Sequence, residues 1–317
     1  MTSRSARPVS PLAIWAGIVV LYLVWGSTYL AIRVAVATIP AILLSVMRFG
    51  SAGLILTAAI IVTSRGQLRR PALAQVRDAS IVGFCLISGG MGIVSWSEQY
   101  VPSGIAAVLV ALMPMWVAIF ARIGFGVRMA RRAVVGTIVG LAGVALLAGP
   151  SILAGGAEAP GLLALLISPM CWAMGSLYGA RKAVQPKPAL LATGIQMLAG
   201  GSLLFVVATL AGETASFNPA TVAPEGWLGL GYLTVIGSLV GYVTFAWLIG
   251  VAPLPRVTTY AYVNPVVAVA LGAVILGEAL DGRTLVAAAV IVAGVVLIVS
   301  ATGRGTAQPR EAIAVPD

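Results

Sequence analysis

The sequence has no histidine, two cysteines and nine acidic residues in a chain of 317. Without imidazole there can be no His-based catalytic triad, His-ligated zinc or histidine proton shuttle. Cys85 and Cys171 each lie inside an apolar run, where a disulfide framework or a thiolate metal site is not expected. The sequence therefore predicts no metal site and no bound cofactor.

Charged residues are also scarce, at 9% of the chain, while 60% of the residues are apolar. Soluble domains have about 25% charged and about 45–50% apolar residues. This surface cannot face water on all sides, so we predict a membrane protein. The net charge of +10 does not indicate a nucleic-acid partner, because the chain lacks a basic stripe interleaved with aromatic residues.

Uncharged stretches are long enough to cross a bilayer, which takes roughly 20 residues in a helix. The predicted spans are 12–33, 40–63, 79–99, 102–121, 133–150, 160–180, 190–211, 226–248, 254–277 and 284–302. Ten spans predict an all-α membrane protein.

The basic residues fall on alternate connections between these spans, which hold sixteen of the nineteen arginines and lysines. The opposite connections carry acidic residues, namely Glu158, Glu213, Glu225, Glu278 and Asp281. The positive-inside rule then predicts a multi-pass protein of the inner (plasma) membrane with both termini in the cytoplasm. Residues 1–10 and 304–317, rich in small and polar residues, are predicted to be disordered cytoplasmic tails.

The chain also contains an internal repeat. A shift of 151 residues aligns Pro102 with Pro253, Pro114 with Pro265, Gly126 with Gly277, Arg132 with Arg283 and Gly143 with Gly294. This divides the chain into halves at 11–150 and 158–303, each with five spans. Because five is odd, the second half enters the membrane from the opposite side, and inverted repeats of this kind are typical of secondary transporters.

Several motifs resemble a known family. They are Trp25-Gly26-Ser27-Thr28-Tyr29-Leu30-Ala31-Ile32, Met47-Arg48-Phe49, Glu98-Gln99-Tyr100-Val101-Pro102-Ser103, Met113-Pro114, Asn264-Pro265 and Gly277-Glu278. The set resembles the EamA-domain permeases of the drug/metabolite transporter superfamily, and among them the YedA-like inner-membrane exporters. The resemblance implies ten helices, a central cavity between the halves, and export of small metabolites such as amino acids. The first half departs from it by having Gly126-Val127 where the second has Gly277-Glu278.

Arg48 and Glu98 are the charged residues predicted to lie deep in the membrane. A buried guanidinium is costly and needs a partner, and Glu98 is placed at a similar depth. The pair could be a structural ion pair, or a binding or coupling site for a carboxylate or a proton. Glu98 is the predicted proton-coupling residue if transport uses protons, and nearby Trp96 fits either interpretation.

Aromatic residues mark one face of the first helix, where Trp25 and Tyr29 are four residues apart with Thr28 beside them. Trp172 and Ser176 repeat this spacing in the sixth helix. The Trp25 ring lies mid-span, so it does not anchor the helix at a membrane interface. These side chains are predicted either to line the substrate cavity or to pack against neighbouring helices and lipid.

Pro114 and Pro265 occupy equivalent positions in the fourth and ninth helices and are predicted to kink them. Tyr260 and Asn264 lie beside the second kink and are predicted to line the cavity. Paired kinks suit hinges for alternating access, although a membrane proline can also serve packing alone.

These features predict a secondary transporter with a small-molecule substrate in a midplane cavity. No phosphate-binding loop of an ATPase is present, so an ion gradient would supply the energy. The open alternatives are an exchanger of larger polar solutes, a lipid flippase and a membrane-embedded enzyme, the last disfavoured because paired intramembrane catalytic residues are lacking. Membrane lipid is an expected partner, and the choice between monomer and homodimer stays open.

Overall fold

The computed structural model describes residues 9–252, 254–257 and 259–302. Within these ranges the chain forms helices joined by short turns, without β-strands. Most of the two predicted tails, residues 1–8 and 304–317, lies outside the described residues.

Ten membrane helices follow one another through the described residues. They are α1 (Pro11–Ala35), α2 (Ala41–Thr63), α3 (Leu73–Ser97), α4 (Ser103–Phe125), α5 (Arg131–Leu153), α6 (Ala159–Arg181), α7 (Ala189–Leu210), α8 (Pro224–Val251), α9 (Tyr260–Leu276) and α10 (Gly282–Thr302). Nine are long and apolar enough to cross a bilayer, and α9 is shorter. The predicted fold, ten helices in two inverted five-helix repeats, is confirmed.

Prolines and glycines set several helix ends. Pro40, Pro102 and Pro188 each precede the first residue of a helix, where proline's missing N–H costs no helical hydrogen bond. Gly126 ends α4 and Gly277 ends α9, both with φ of 65°. This left-handed conformation favours glycine, and it explains why the two repeats share a glycine here.

Two predicted boundaries were wrong. Helix α3 begins at Leu73 rather than 79, because polar residues extend it past the apolar run: Gln75 Oε1 accepts a hydrogen bond from the Ala72 N–H at 2.9 Å. Helix α9 begins at Tyr260 rather than 254, and Leu254–Val257 forms a separate short helix.

The first helix of each repeat packs against helices of the other repeat. Helix α1 packs against α8 and α9, and α6 packs against α3 and α4, while α2 pairs with α7 and α5 with α10. Glycines permit the closest approach: a Cβ on Gly136 of α5 would lie 2.6 Å from the carbonyl oxygen of Gly294 in α10. Packing of small residues of this kind holds membrane helices together.

Helices α3 and α8 share a feature that the sequence analysis did not predict. Each contains a π-helical stretch, Phe84–Gly92 in α3 and Leu233–Val240 in α8. The two stretches begin 149 residues apart and therefore occupy equivalent places in the two repeats. Such wide turns in a helix are frequently found at functional sites.

Candidate substrate cavity

A cavity lies between the two repeats, near the middle of the helices. Trp25, Arg48, Met113 and Trp172 line it, each at least seven residues from both ends of its helix. Seven residues of helix correspond to about 10 Å. The other lining residues are Thr28, Tyr29, Met91, Ala107, Val110, Ala111, Tyr242, Tyr260, Ala261, Asn264 and Pro265.

The cavity is small in this conformation. Its volume is about 80 Å³, whereas pockets for drug-sized ligands measure roughly 300–1,000 Å³. Water molecules fit this space, because about 10–15 Å³ is enough for one. The conformation is therefore nearly occluded, and a solute would need the surrounding helices or side chains to move.

Arg48 supplies the only charged side chain of the cavity wall. It is 2% exposed, its Nε donates a hydrogen bond to Ser238 Oγ at 2.9 Å, and its guanidinium carbon lies 4.6 Å from the centre of the Phe49 ring. Its buried Nη1 has no hydrogen-bond partner among the described residues. A buried, unused N–H donor costs free energy, so Arg48 can bind an added acceptor favourably.

An aromatic cluster forms one wall. The Trp25 ring centre lies 4.9 Å from that of Tyr260, 5.4 Å from that of Phe245 and 5.7 Å from that of Tyr242. A residue of α1 thus packs against α8 and α9 of the other repeat. Trp25 and Tyr260 were predicted to line the cavity, whereas Tyr242 was not. Tyr242 carries the same signal as Trp25, because it too is an aromatic residue well inside an uncharged span.

Trp172 lies in a position related to that of Trp25. A Cβ on Gly90 of α3 would lie 2.8 Å from the Trp172 ring, and a Cβ on Gly241 of α8 would overlap the Trp25 indole nitrogen. In each repeat, a glycine within or next to the π-helical stretch therefore makes room for the tryptophan of the other repeat.

The two prolines act differently on their helices. Pro114 follows an interruption at residues 111–112, where α4 divides into Ser103–Val110 and Met113–Phe125. Pro265 lies inside the unbroken helix α9. Val110 and Ala261, whose carbonyls lose their usual helical partner, both line the cavity, where water can satisfy them.

Asn264 brings a second unused polar atom to the cavity. Its side chain is 8% exposed, and its Oδ1 has no hydrogen-bond partner among the described residues. The cavity therefore offers a buried donor on Arg48 and a buried acceptor on Asn264.

The expected ion pair between Arg48 and Glu98 does not form. Glu98 follows the last turn of α3, and neither of its carboxylate oxygens has a partner among the described residues although the side chain is fully buried. Its backbone carbonyl accepts a hydrogen bond from Arg33. The predicted similar depth was wrong: Arg48 lies seven residues inside α2, or about 10 Å, whereas Glu98 lies just past the end of α3. Arg48 turns instead toward Ser238.

Trp96 and Ser176, which were predicted to line the cavity, do not reach it, and neither does Pro114, which was predicted only as a kink. Trp96 is half-buried and its ring centre lies 5.0 Å from that of Tyr100. Ser176 is half-buried in α6, and Pro114 lies next to Met113 without reaching the cavity. The structure thus gathers Trp25, Thr28, Tyr29, Arg48, Trp172, Tyr260, Asn264 and Pro265 around the cavity.

Carboxylates join the repeats on the side that the charge pattern predicts to be outside, which contains the turns after the odd-numbered helices. Glu278 accepts hydrogen bonds from Ser103 N–H at 2.8 Å, Ser103 Oγ at 3.0 Å and Gly104 N–H at 3.2 Å. We call this contact the Glu278 cap, because it closes the N-terminus of α4. Glu213 likewise accepts from the Leu43 N–H of α2 at 2.8 Å.

One carboxylate joins the repeats on the predicted cytoplasmic side. Asp78 of α3 is 2% exposed. It accepts hydrogen bonds from the Val184 N–H at 2.8 Å and from the Tyr178 hydroxyl at 3.0 Å, and it forms an ion pair with Arg77 at 2.9 Å. Hydrogen bonds therefore join the two repeats on both predicted sides of the membrane.

The turn before α10 contains a further cap. Asp281 Oδ1 accepts a hydrogen bond from the Thr284 N–H at 2.7 Å. Hydrogen bonds from the side chain and the backbone of Thr284 lower the pKa of the Asp281 carboxyl. The cap stabilises the start of α10 while this carboxylate is ionised.

Comparison with known proteins supports a transporter. The chain is 36% identical to the uncharacterized inner membrane transporter YedA of Escherichia coli, over 96% of this chain and 97% of that protein. It is 28% identical to a probable terminal-alkyne amino-acid exporter of Streptantibioticus cattleyicolor, over 90% and 93% of the two chains. It is 26% identical to a probable amino-acid metabolite efflux pump of Salmonella typhimurium, over 86% and 89%.

A solved crystal structure has the same fold, with a TM-score of 0.60 at 22% identity over 91% of this chain and 98% of that one. The inner-membrane relatives and the many apolar helices indicate a multi-pass inner-membrane protein. Residues 12–149 and 159–300 each match the EamA-like transporter family. The chain therefore belongs to the EamA-like transporter family.

Proposed function

We propose that the protein exports small organic solutes bearing a carboxylate, such as amino acids, by alternating access across the inner membrane. Both termini face the cytoplasm in this proposal, as the charge pattern predicts. Opening one side requires the contacts between the repeats on that side to break. Two relatives named as amino-acid exporters support this substrate class.

The observation that carries the proposal is the unpartnered Nη1 of Arg48 in the cavity wall. A guanidinium binds a carboxylate through paired, charge-assisted hydrogen bonds. The Trp25 cluster offers ring faces that attract an ammonium group or stack on an aromatic one, and the unused oxygen of Asn264 can accept from the ammonium. An amino acid has both complementary groups.

The size and charge of the cavity favour this class over larger polar solutes. A nucleotide-sized anion would require several cations, and Arg48 is the single cation among the lining residues. The volume of about 80 Å³ also requires less expansion for an amino acid than for a nucleotide sugar or a lipid headgroup.

Ligand binding to the purified protein tests the proposal with L-phenylalanine and phenethylamine, which differ by the carboxylate. A ligand that binds only the folded state raises its melting temperature. We expect stabilisation by phenylalanine over phenethylamine, and loss of this preference in Arg48→Gln. Arg48→Lys should retain part of it, and Ser176→Ala, outside the cavity, should match wild type.

Two results would contradict this role. Equal stabilisation by both compounds would exclude a carboxylate-binding site, and an unchanged preference in a folded Arg48→Gln variant would assign carboxylate binding elsewhere. If Arg48→Gln melts far below wild type yet transports normally when reconstituted, the arginine is structural only.

For coupling, we propose that Glu98 carries the proton. An ionised carboxylate without a partner is very costly in an apolar environment, and both Glu98 oxygens lack one. Arg33, Arg48 and Glu278 are near enough to interact electrostatically with it, so movements of the repeats would change its proton affinity.

Reconstituted vesicles with an imposed pH gradient test this role. We expect Glu98→Gln to abolish proton-driven phenylalanine flux while preserving exchange of labelled for unlabelled phenylalanine. The control is Glu225→Gln, an exposed acid without hydrogen bonds in the described structure. Gradient-driven flux at the wild-type rate in Glu98→Gln would assign coupling to another group or to none.

A further inference from the structure

A second, larger concave site lies away from the cavity, on the predicted cytoplasmic side. It is a groove of about 970 Å³ between the connection α2–α3 and the connection α6–α7. Four cations line it: Arg65, Arg69 and Arg70 from the first repeat and Lys187 from the second. Its lining contains no acidic residue. We call it the basic groove.

The four cations are not neutralised by the protein. All four side chains are exposed, and none forms an ion pair or a side-chain hydrogen bond within the described ranges. Arg77 of α3, which is not among the lining residues of the groove, behaves differently because it pairs with Asp78. Four like charges around one concave surface repel each other, so an anion bound among them would be stabilised by all four.

The two sides of the groove are held together. Gln75 Nε2 donates a hydrogen bond to the Gln185 carbonyl at 3.5 Å, and Gln196 Nε2 donates to Gln185 Oε1 at 3.4 Å. The first of these contacts joins the two repeats. Hydrogen bonds therefore hold the two connections that form the groove against each other.

Exposed apolar residues lie next to lining residues of the groove in the sequence: Val62 precedes Thr63, and Leu73 follows Ala72. Val62, at the end of α2, is 75% exposed, and Leu73, at the start of α3, is 85% exposed. Val184, which lines the groove itself, is 57% exposed. A soluble anion would leave this apolar surface uncovered, whereas the acyl chains of a lipid would cover it.

We propose that the basic groove binds the phosphodiester headgroup of an anionic phospholipid, with its acyl chains over Val62 and Leu73. Basic pockets between membrane helices on the cytoplasmic side are suited to anionic headgroups. A single headgroup would contact both repeats and bind most tightly in the conformation shown here.

A matched pair of double variants tests this site in the full-length purified protein. The groove variant is Arg69→Gln with Lys187→Gln, which removes one cation from each side. The control is Arg131→Gln with Arg132→Gln, two exposed cations at the start of α5 that do not line the groove. Arg65 is left unchanged because its φ of 46° makes a substitution there a backbone perturbation as well.

Binding of phosphatidylglycerol and phosphatidylcholine with identical acyl chains is measured by native mass spectrometry. We expect wild type and the control to prefer phosphatidylglycerol. The groove variant should bind it roughly 25-fold more weakly, at about fivefold per cation removed, with phosphatidylcholine binding unchanged.

Three results would overturn the proposal. Equal binding of both lipids to wild type would exclude headgroup recognition. An equal loss in the control would mean that cytoplasmic charge acts without a site. Equally tight binding of glycerol phosphate, which lacks acyl chains, would identify a site for soluble anions. None of these measurements involves a transported solute, so each outcome is independent of the proposed export.

Discussion

The Glu278 cap predicts how firmly the cavity is closed on the predicted outer side. In Glu278→Gln, one oxygen remains an acceptor, but the other becomes an amide group that cannot accept from Ser103 or Gly104. Loss of an N-terminal cap costs about 0.5–2 kcal/mol. Because about 1.4 kcal/mol changes an equilibrium tenfold, the open population should rise roughly 2-fold to 30-fold.

A single reporter cysteine makes this change measurable. Cys85 and Cys171 are replaced by serine, Ala107 of the cavity wall becomes cysteine, and a membrane-impermeant maleimide is added from outside. The labelling rate follows the fraction of molecules open to that side. We expect Glu278→Gln to label about 2-fold to 30-fold faster, while Glu225→Gln labels like wild type.

An unchanged labelling rate would refute the reasoning, because the three hydrogen bonds would then persist when the outer side opens. Faster labelling in Glu225→Gln as well would attribute the effect to surface charge. Maleimide can also be added from the cytoplasmic side. Faster labelling from that side alone would show that the Glu278 cap opposes opening toward the cytoplasm and that the predicted orientation is reversed.

Two further predictions use single residues of the described structure. Gly241→Ala should push the Trp25 ring into the cavity, because a Cβ there overlaps it; we expect weaker phenylalanine binding by thermal shift, with Gly250→Ala, whose Cβ meets nothing within 4 Å, as the unaffected control. Asp281→Ala should lower the melting temperature at neutral pH, since the folded pKa of Asp281 is lowered and the cap is ionised there. This difference should vanish as the pH falls through that folded pKa, and a difference that persists in acid would show that the cap does not act through its charge.

The sequence was sufficient for the number of helices and for much of the cavity wall. The scarcity of charged residues predicts a membrane protein, and the uncharged runs of roughly 20 residues predict where its helices cross the bilayer. Arg48 and Asn264 were identifiable because polar side chains far inside a span are costly toward lipid and tend to face the interior. Trp25 was identifiable because it lies mid-span, away from the interfaces where tryptophan anchors a helix.

The sequence could not identify partners that depend on helix rotation and on the paths of the connections. The sequence predicted similar depths for Arg48 and Glu98, yet Glu98 lies at the end of α3 and Arg48 bonds to Ser238, 190 residues away in the sequence. The contact from Glu278 to Ser103 also joins opposite repeats. Hydropathy gives depth along a helix but not the direction in which each side chain points.

The π-helical stretches of α3 and α8 lie beside the cavity, where a change in helical register would change the residues of its wall. An α-helix turns about 100° per residue, so conversion of one wide turn to α-helix would rotate everything beyond it by about that angle. In α8 the rotation would separate Ser238, which binds Arg48, from Tyr242, which contacts Trp25. Each repeat thus contains a π-helical stretch beside the cavity. Conversion of one of its turns to α-helix would rotate the helix beyond it and change which side chains face a solute.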